Sequence, residues 1–129
     1  MKYLCLVYFE PKALTTLTEN EQAVLDNESL AYDEELQRSG HFIAAEALDS
    51  VKSAVTVRMR NGKISTTDGP FAETKESLGG LVVLALKNVD EAIALLSTHP
   101  ALAFGIVMEI RPIDEVITKR WEALQETVA

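Results

Sequence analysis

Cysteine and histidine are scarce in this chain, which limits the chemistry that can hold it together. One cysteine among 129 residues excludes an internal disulfide, and with two histidines no spacing typical of a zinc site occurs. Glycine-rich phosphate-binding motifs are absent as well. Cys5 lies inside an apolar segment, where a free thiol usually behaves as a small buried hydrophobic residue. We therefore expect a fold that depends on its hydrophobic core, with neither a metal nor a cofactor.

Positive charge and long apolar runs are also scarce. Twelve lysines and arginines against twenty aspartates and glutamates give a net charge of −8, which disfavours binding to nucleic-acid phosphates and anionic lipid surfaces. No apolar run approaches the roughly 20 residues that cross a bilayer. Glu10 and Pro11 stand where a signal peptide would need small residues for cleavage. A single cysteine agrees with a reducing compartment, so we expect a cytoplasmic protein that binds neither nucleic acid nor membranes.

The hydrophobic pattern predicts strands interrupted by three helices. Alternation, all-apolar runs and the turn pair Asn61-Gly62 predict strands over residues 2–9, 42–48, 55–60, 63–67, 81–86 and 106–111. Capping residues and helical spacing predict helices over residues 18–40, 88–99 and 114–128. The sequence contains no linker and no internal repeat, and a length of 129 residues is typical of one domain.

The order of these elements resembles a ferredoxin-like domain, an α+β fold in which two helices cover one face of an antiparallel sheet. A further C-terminal helix follows the last strand. Segments 2–9 and 81–86 are apolar on both faces, so the face without helices also needs a cover. A second copy of the chain, packed sheet to sheet as in a dimeric α/β barrel, is the simplest one. We expect a homodimer with a ligand cavity between the two sheets.

The first long helix contains one polar residue on its inward side. The inward stripe at helical spacing consists of Leu25, Ser29, Tyr32 and Leu36. The opposite side contains Asp26, Asp33, Glu34 and Gln37. Ser29 is therefore a candidate for contact with a ligand.

The segment 68–80, between two predicted strands, is longer than a hairpin needs and is a functional candidate. Asp68-Gly69-Pro70 suits a sharp bend, because glycine tolerates positive φ, proline fixes φ, and the Asp68 carboxylate can accept backbone N–H bonds. A structural bend is one interpretation. In the other, a loop over the mouth of the cavity carries the candidate site residues Asp68, Glu73 and Lys75.

Phe71 in the same segment has two interpretations. It is either a hydrophobic plug for the core, which we favour, or an apolar wall of the cavity. Gly79 and Gly80 would permit close backbone approach where the chain re-enters the sheet.

Two charged residues of the last strand point to one face, since Glu109 and Arg111 are two positions apart. Together with Arg58, they could bind a small anionic or polar ligand through the guanidinium groups. The alternative is an ordinary ion pair across strands or at the dimer interface. His41 and His99 are interpreted as surface or packing residues, because the sequence places no serine, cysteine or carboxylate beside His41 to orient it.

Two motifs resemble a known family: Asp68-Gly69-Pro70-Phe71-Ala72-Glu73-Thr74-Lys75-Glu76 with Leu78-Gly79-Gly80, and Glu109-Ile110-Arg111-Pro112. They are similar to the DGPF branch of the YCII-related domain family, and the resemblance covers nearly the whole chain. It implies that residues 1–129 form a single YCII-related domain with a ferredoxin-like fold of the dimeric α/β-barrel type. The family is found mainly in bacteria, and no reaction is established for this branch.

The resemblance also bears on the site. Other YCII-related proteins have a His-Asp pair, with the histidine on the first helix, and here Ser29 occupies that position. Asp68 would retain the acidic half as a catalytic residue, but without the imidazole the acid/base mechanism does not carry over. Two functions remain open: an enzyme or binder of a small molecule that uses Asp68, Glu109, Arg111 and Ser29, or a regulatory module. The second is implied because DGPF proteins are often encoded beside extracytoplasmic-function sigma factors.

Overall fold

A four-stranded antiparallel sheet forms the centre of the molecule, for which the computed structural model describes residues 1–128. Its strands are β1 (Lys2–Phe9), β2 (Phe42–Ala47), β5 (Ser77–Ala85) and β6 (Val107–Pro112), and a separate hairpin contains β3 (Val55–Arg60) and β4 (Lys63–Asp68). The helices are α1 (Pro11–Thr15), α2 (Glu19–Arg38), α3 (Val89–Leu96) and α4 (Glu115–Val128). Short 3₁₀ segments cover Val51–Ser53 and Pro100–Phe104. The expected ferredoxin-like α+β fold is confirmed.

The sheet has the strand order β2-β5-β1-β6, so the two most apolar strands lie at its centre. Tyr3 and Cys5 of β1 point to the side of α2 and α3, where they pack in one buried cluster with Leu36, Leu84 and Leu96. Because neighbouring side chains of a strand alternate between faces, the even-numbered residues of β1 point to the opposite side. From Tyr3 onward, β1 therefore presents apolar or aromatic side chains to both faces of the sheet.

The predicted helix ends are confirmed by specific hydrogen bonds. Thr18 and Glu21 form a capping box, in which the Glu21 N–H donates to Thr18 Oγ1 at 3.1 Å and the Thr18 N–H donates to Glu21 Oε1 at 3.0 Å. Gly40 follows the helix with φ of 82°, as a left-handed C-terminal residue requires. Such caps satisfy the backbone groups that a helix end leaves unpaired. Within residues 1–128, no helix is long and apolar enough to cross a membrane.

The start of β5 differs from the prediction. The strand begins at Ser77 rather than at residue 81, so the connection after β4 covers residues 69–76. Gly79 and Gly80 belong to the strand because both pack closely: a Cβ at Gly79 would lie 2.5 Å from the Phe9 ring, and one at Gly80 would lie 3.0 Å from the Glu46 carbonyl oxygen. The glycines permit the close approach that was expected, but inside the sheet.

We call the sheet surface opposite α2 and α3 the open face. Among its apolar side chains, Leu4, Leu6, Leu81 and Val83 are only half-buried, and Val107 is exposed. Helix α4 begins beside this face and is tied to it by an ion pair of 3.2 Å between Lys2 Nζ and Glu122 Oε1. No residue of α4 is buried, and its exposed apolar side chains are Val116, Ile117, Trp121, Leu124 and Val128. The single chain thus leaves the open face of the sheet only partly covered, as the sequence predicted.

Candidate functional site

A groove of about 1280 Å³ lies between the loop 69–76, the start of the β3–β4 hairpin and the end of β1. We call it the DGPF groove. Its walls combine apolar and charged side chains, among them Tyr8, Glu10, Phe71, Glu73 and Lys75. A concave surface of this mixed chemistry is typical of small-molecule sites, and its volume is above their usual range of about 300–1,000 Å³.

Three alternate residues in and just before β3 form hydrogen bonds to the loop of this groove. The Gly69 N–H donates to the Ala54 carbonyl oxygen at 2.6 Å, and Thr56 Oγ1 donates to the Gly69 carbonyl oxygen at 2.8 Å. Arg58 donates through Nη2 to the Phe71 carbonyl oxygen at 3.0 Å. Gly69 has φ of 107°, a conformation that favours glycine. Arg58 therefore positions the loop. The prediction that it lies together with Glu109 and Arg111 is wrong.

Asp68 ends β4 at the base of the loop. In the part of the chain that the structure describes, its carboxylate accepts no backbone hydrogen bond, contrary to the expectation for a bend. The Gly69 N–H donates instead to the Ala54 carbonyl oxygen, because the ladder of the hairpin continues one residue past the strand. The Asp68 side chain is exposed beside the groove.

Phe71 and Lys75, both on the loop 69–76, line the groove. Phe71 is 79% exposed, so the prediction of a plug for the core is wrong for the single chain and the alternative, an apolar wall, describes its position. Lys75 Nζ lies 3.7 Å from Glu10 Oε2, a contact that links the loop to the end of β1. Since Lys75 is largely exposed, this ion pair stabilises the loop only weakly.

Tyr8 connects the DGPF groove to the open face. Its side chain lines the groove, and its hydroxyl donates to Glu109 Oε1 at 3.2 Å. Desolvation, followed by this hydrogen bond and the Glu109 charge, raises the pKa of Tyr8. Glu109 and Arg111 lie on the open face opposite Leu6 and Leu4, as predicted. No ion pair joins them within residues 1–128, and Glu109 instead accepts the hydrogen bond from Tyr8.

Ser29 lies on the other side of the sheet from Glu109 and Arg111. It lines a separate pocket of about 230 Å³ between α2 and the sheet, together with Asp33 and His99. The sequence interpretation assigned Asp33 to the outward side of α2, yet it is half-buried at the pocket. Its spacing of four residues from Ser29, which brings two helical residues to one face, is the signal that could have identified it.

Both histidines have carboxylate neighbours in the structure, whereas the sequence indicated none for His41. His41 Nδ1 lies 3.1 Å from the Ala85 carbonyl oxygen and 3.6 Å from Glu91 Oε1. His99 Nε2 lies 3.4 Å from Asp33 Oδ1. These partners are distant in sequence, so no local pattern could have indicated them. Within the described residues no three histidine, cysteine or acidic side chains come together as metal ligands.

Comparison with known proteins identifies a family and a related sequence. The model of the YCII-related domain matches residues 1–117. An uncharacterized protein of Rhizobium meliloti (strain 1021) is 28% identical over 93 residues, which cover 72% of this chain and 75% of the relative.

A solved structure shares the fold. It is the 5-chloro-2-hydroxyhydroquinone dehydrochlorinase TftG of Burkholderia phenoliruptrix AC1100 in complex with 2,5-dihydroxybenzoquinone. The two chains superpose with a TM-score of 0.51 over 88% of this chain and 94% of the other, at 17% sequence identity. At this identity the likeness shows a shared fold.

Proposed function

Because the chain belongs to the YCII-related domain family, we propose that it is a homodimeric protein that binds a small polar or anionic molecule. The ligand would lie where the DGPF groove meets the open face. The hydrogen bond between Tyr8 and Glu109 supports this most directly, since it joins the wall of the groove to the polar residues of the open face. The dehydrochlorinase of similar fold was solved with a small ring compound, which agrees with small-molecule binding by such a fold.

The dimer is proposed from the apolar surface that the single chain leaves uncovered. Leu4, Leu6 and Leu81 of the open face are only half-buried, and the apolar side of α4 is exposed beside them. Contiguous apolar surface of this kind typically marks an interface. Two open faces packed together would bury it and enclose Glu109 and Arg111 with the mouth of the groove.

Carboxylates and cationic groups both lie around this space, and the cationic groups could bind an acidic or strongly polar group of a ligand. Arg111 is exposed on the open face and has no ion-pair partner within residues 1–128, so its guanidinium group is available for a carboxylate or phosphate. Lys75 lies on the loop at the rim. Ser29, on the helix side, is not part of this proposed site. A catalytic role for Asp68 stays a prediction, as does membership of the DGPF branch.

Native mass spectrometry of the purified protein, incubated with a bacterial metabolite extract, tests the proposal. We expect a dimer that retains a small molecule, and we expect Arg111→Ala to abolish retention while the dimer and the melting temperature stay unchanged. Arg60→Ala, at the tip of the hairpin and outside the groove, is the matched control and should retain the molecule. A monomer, or equal retention by both variants, would contradict the proposal.

A regulatory role beside a sigma factor is the second candidate, and the exposed apolar side of α4 favours it. A partner protein could cover this helix in place of a second copy. A pull-down with a purified extracytoplasmic-function sigma factor distinguishes the two roles. Loss of the interaction in Trp121→Glu, with retention in Arg111→Ala, would support the regulatory role.

A further inference from the structure

The β3–β4 hairpin has an apolar surface of its own, apart from the open face. Alternate residues of a strand share one face with their cross-strand partners, and the register pairs Met59 with Ile64. One face of the hairpin therefore contains four apolar side chains, each between 62% and 67% exposed, and they are Val55, Val57, Met59 and Ile64. We call this surface the hairpin face. Within residues 1–128, neither strand packs closely against a helix or a third strand.

A hairpin in this situation needs a partner. Two strands alone are marginally stable in water, and a helix packed on their apolar face is one of the arrangements that stabilises them. The other face of the hairpin is already engaged, since Arg58 donates to the Phe71 carbonyl oxygen of the loop. The hairpin face thus lacks a helix with a matching apolar side.

Helix α4 has such a side because it turns its polar residues toward its own chain. Glu115 and Thr118 are half-buried, and Glu122 forms the ion pair with Lys2. The exposed apolar residues follow a different side of the helix at spacings of four, three and four, and they are Ile117, Trp121, Leu124 and Val128. A surface helix that packs only within its own domain buries its apolar stripe. The orientation of α4 is the reverse, so its apolar side is suited to contact outside the chain.

Within one chain, the hairpin face and α4 lie at opposite ends of β1. Lys75 pairs with Glu10 and places the loop of the hairpin beside the end of β1, whereas Lys2 pairs with Glu122 and places α4 beside its start. Eight residues of strand separate the two by roughly 25 Å. A two-fold axis that lies in the plane of the sheet and crosses the strands brings opposite ends of two chains together. In such a dimer the contact occurs twice.

The two surfaces match in length. Helix α4, with 14 residues, is about 21 Å long, and the six-residue strands of the hairpin span about 20 Å. Charge also favours a second copy as the partner. The hairpin has three cationic side chains and one anionic side chain, in a chain whose net charge is −8. A basic hairpin is attracted to an acidic molecule, and a second copy of this chain is one.

We propose that, in the homodimer on which the proposed function rests, the apolar side of α4 packs on the hairpin face of the partner subunit. The contact is reciprocal, so each hairpin receives one helix. Val55 belongs both to the hairpin face and to the wall of the DGPF groove. The helix of the partner subunit would therefore close one side of that groove and reduce its volume of about 1280 Å³ towards the usual range of small-molecule sites.

Cross-linking with a short bis-maleimide tests this contact in a Cys5→Ala background, which removes the chain's single native cysteine. We expect the double variant Val57→Cys with Leu124→Cys to form a covalent dimer, because the two positions of one chain are too far apart to be bridged. The matched control is Ser65→Cys with Leu124→Cys. Ser65 pairs with Arg58 and so lies on the other face of the hairpin. This control and each single variant should stay uncross-linked.

Sedimentation of the same samples separates this inference from the proposed function. A dimer that is not cross-linked in the double variant would overturn the contact between hairpin and helix and leave the open-face dimer intact, whereas a monomer would overturn both. A covalent dimer from Val57→Cys alone would show that two hairpins pack on each other and would also overturn the proposal. So would equal yields from the Ser65→Cys control.

A second measurement does not depend on the reach of the reagent. Val57→Glu places an unpaired charge in the proposed contact and should weaken dimerisation by about tenfold or more, since a charge that loses water without gaining a partner is costly. Ser65→Glu adds the same charge to the other face of the hairpin and should dimerise like the wild type. Equal dissociation constants for the two variants would contradict the proposal. Circular dichroism shows that each variant is folded.

Discussion

The two faces of the central sheet are built from the same strands but reach different degrees of burial. On the helix side, Cys5 is 2% and Leu84 is 1% exposed, because α2 and α3 cover them. On the open face, Leu4, Leu6 and Leu81 are as apolar but only half-buried. The difference shows that burial in this fold depends on what covers a face, since both sets of residues are hydrophobic.

Polar residues differ between the faces in the same way. On the helix side, Asp33 and His99 hold each other at the rim of a small pocket. On the open face, Glu109 and Arg111 are exposed, and Tyr8 links Glu109 to a much larger groove. The helix side is covered by helices of the same chain, whereas the polar groups of the open face remain exposed in the single chain.

The largest expected effect comes from truncating the helix side. Leu84→Ala should lower the free energy of unfolding by about 2–5 kcal/mol, as fully buried leucines do, while Leu81→Ala should cost clearly less at low protein concentration. Urea denaturation of both variants measures the difference. If the open face forms a dimer interface, the loss for Leu81→Ala should grow as the protein concentration rises. Equal losses for the two variants in dilute solution would show that the two faces are equally covered.

The second effect concerns the Cys5 thiol on the helix side. Burial raises its pKa from 9.0 to about 11, so between these pH values the unfolded thiol loses its proton while the folded one keeps it. This contribution to stability is complete below pH 9 and is lost as the pH rises towards 11. The loss is on the order of 3 kcal/mol, since each pKa unit corresponds to about 1.4 kcal/mol.

Measuring the free energy of unfolding from pH 8 to 11, with Cys5→Ala as the reference, isolates this contribution from that of the tyrosines and lysines. The difference between wild type and variant should shrink above pH 9. A constant difference over the whole range would mean that Cys5 is reached by water and that the helix side is less closed than its packing indicates.

A smaller effect is expected for Tyr8 on the open face. Desolvation and the hydrogen bond to Glu109 raise the pKa of Tyr8, so Glu109→Gln should lower that pKa towards its ordinary value by removing the negative charge. Titration of the tyrosine resonances by NMR, assigned with Tyr8→Phe, follows the change. Tyr32 on the helix side serves as the internal control, and an identical shift at both residues would point to a general change in structure.

The smallest effect on stability is expected at Phe71. Because this side chain is mostly exposed, Phe71→Ala should change the free energy of unfolding of the monomer by less than about 0.5 kcal/mol. Phe42→Ala, at a partly buried position packed against the helix-side core, is the matched control and should cost several times more. Thermal unfolding at low concentration compares the two. A large loss for Phe71→Ala would place its ring in a packed environment.

Much of the fold follows from local signals in the sequence. Thr18 with Glu21 marks the start of α2, and Asn61-Gly62, both at positive φ, mark the turn of the hairpin. The start of β5 was not predictable, because Gly79 and Gly80 are typical of loops. Their presence in the strand is explained by the close approach of the Phe9 ring and of the Glu46 backbone, which leaves no room for a Cβ atom.

The candidate sites were harder to predict from the sequence than the fold. Glu109 and Arg111 were assigned correctly to one face, since strand alternation decides it. The pairing of His99 with Asp33 joins residues 66 positions apart, and it depends on how the segment before β6 crosses α2. Arg58 was expected beside Glu109, but the separate sheet of the hairpin directs it to the loop instead. Long-range packing of this kind leaves no periodic signal.

The exposed side of α4 carries the chain's single tryptophan, Trp121, at 64% exposure. The molecule therefore contains a built-in optical reporter beside the uncovered surface. Its fluorescence in dilute solution should resemble that of an indole in water, and any association that seals this helix should shift the emission to shorter wavelength. Dilution series in a simple fluorimeter can thus follow assembly without a label.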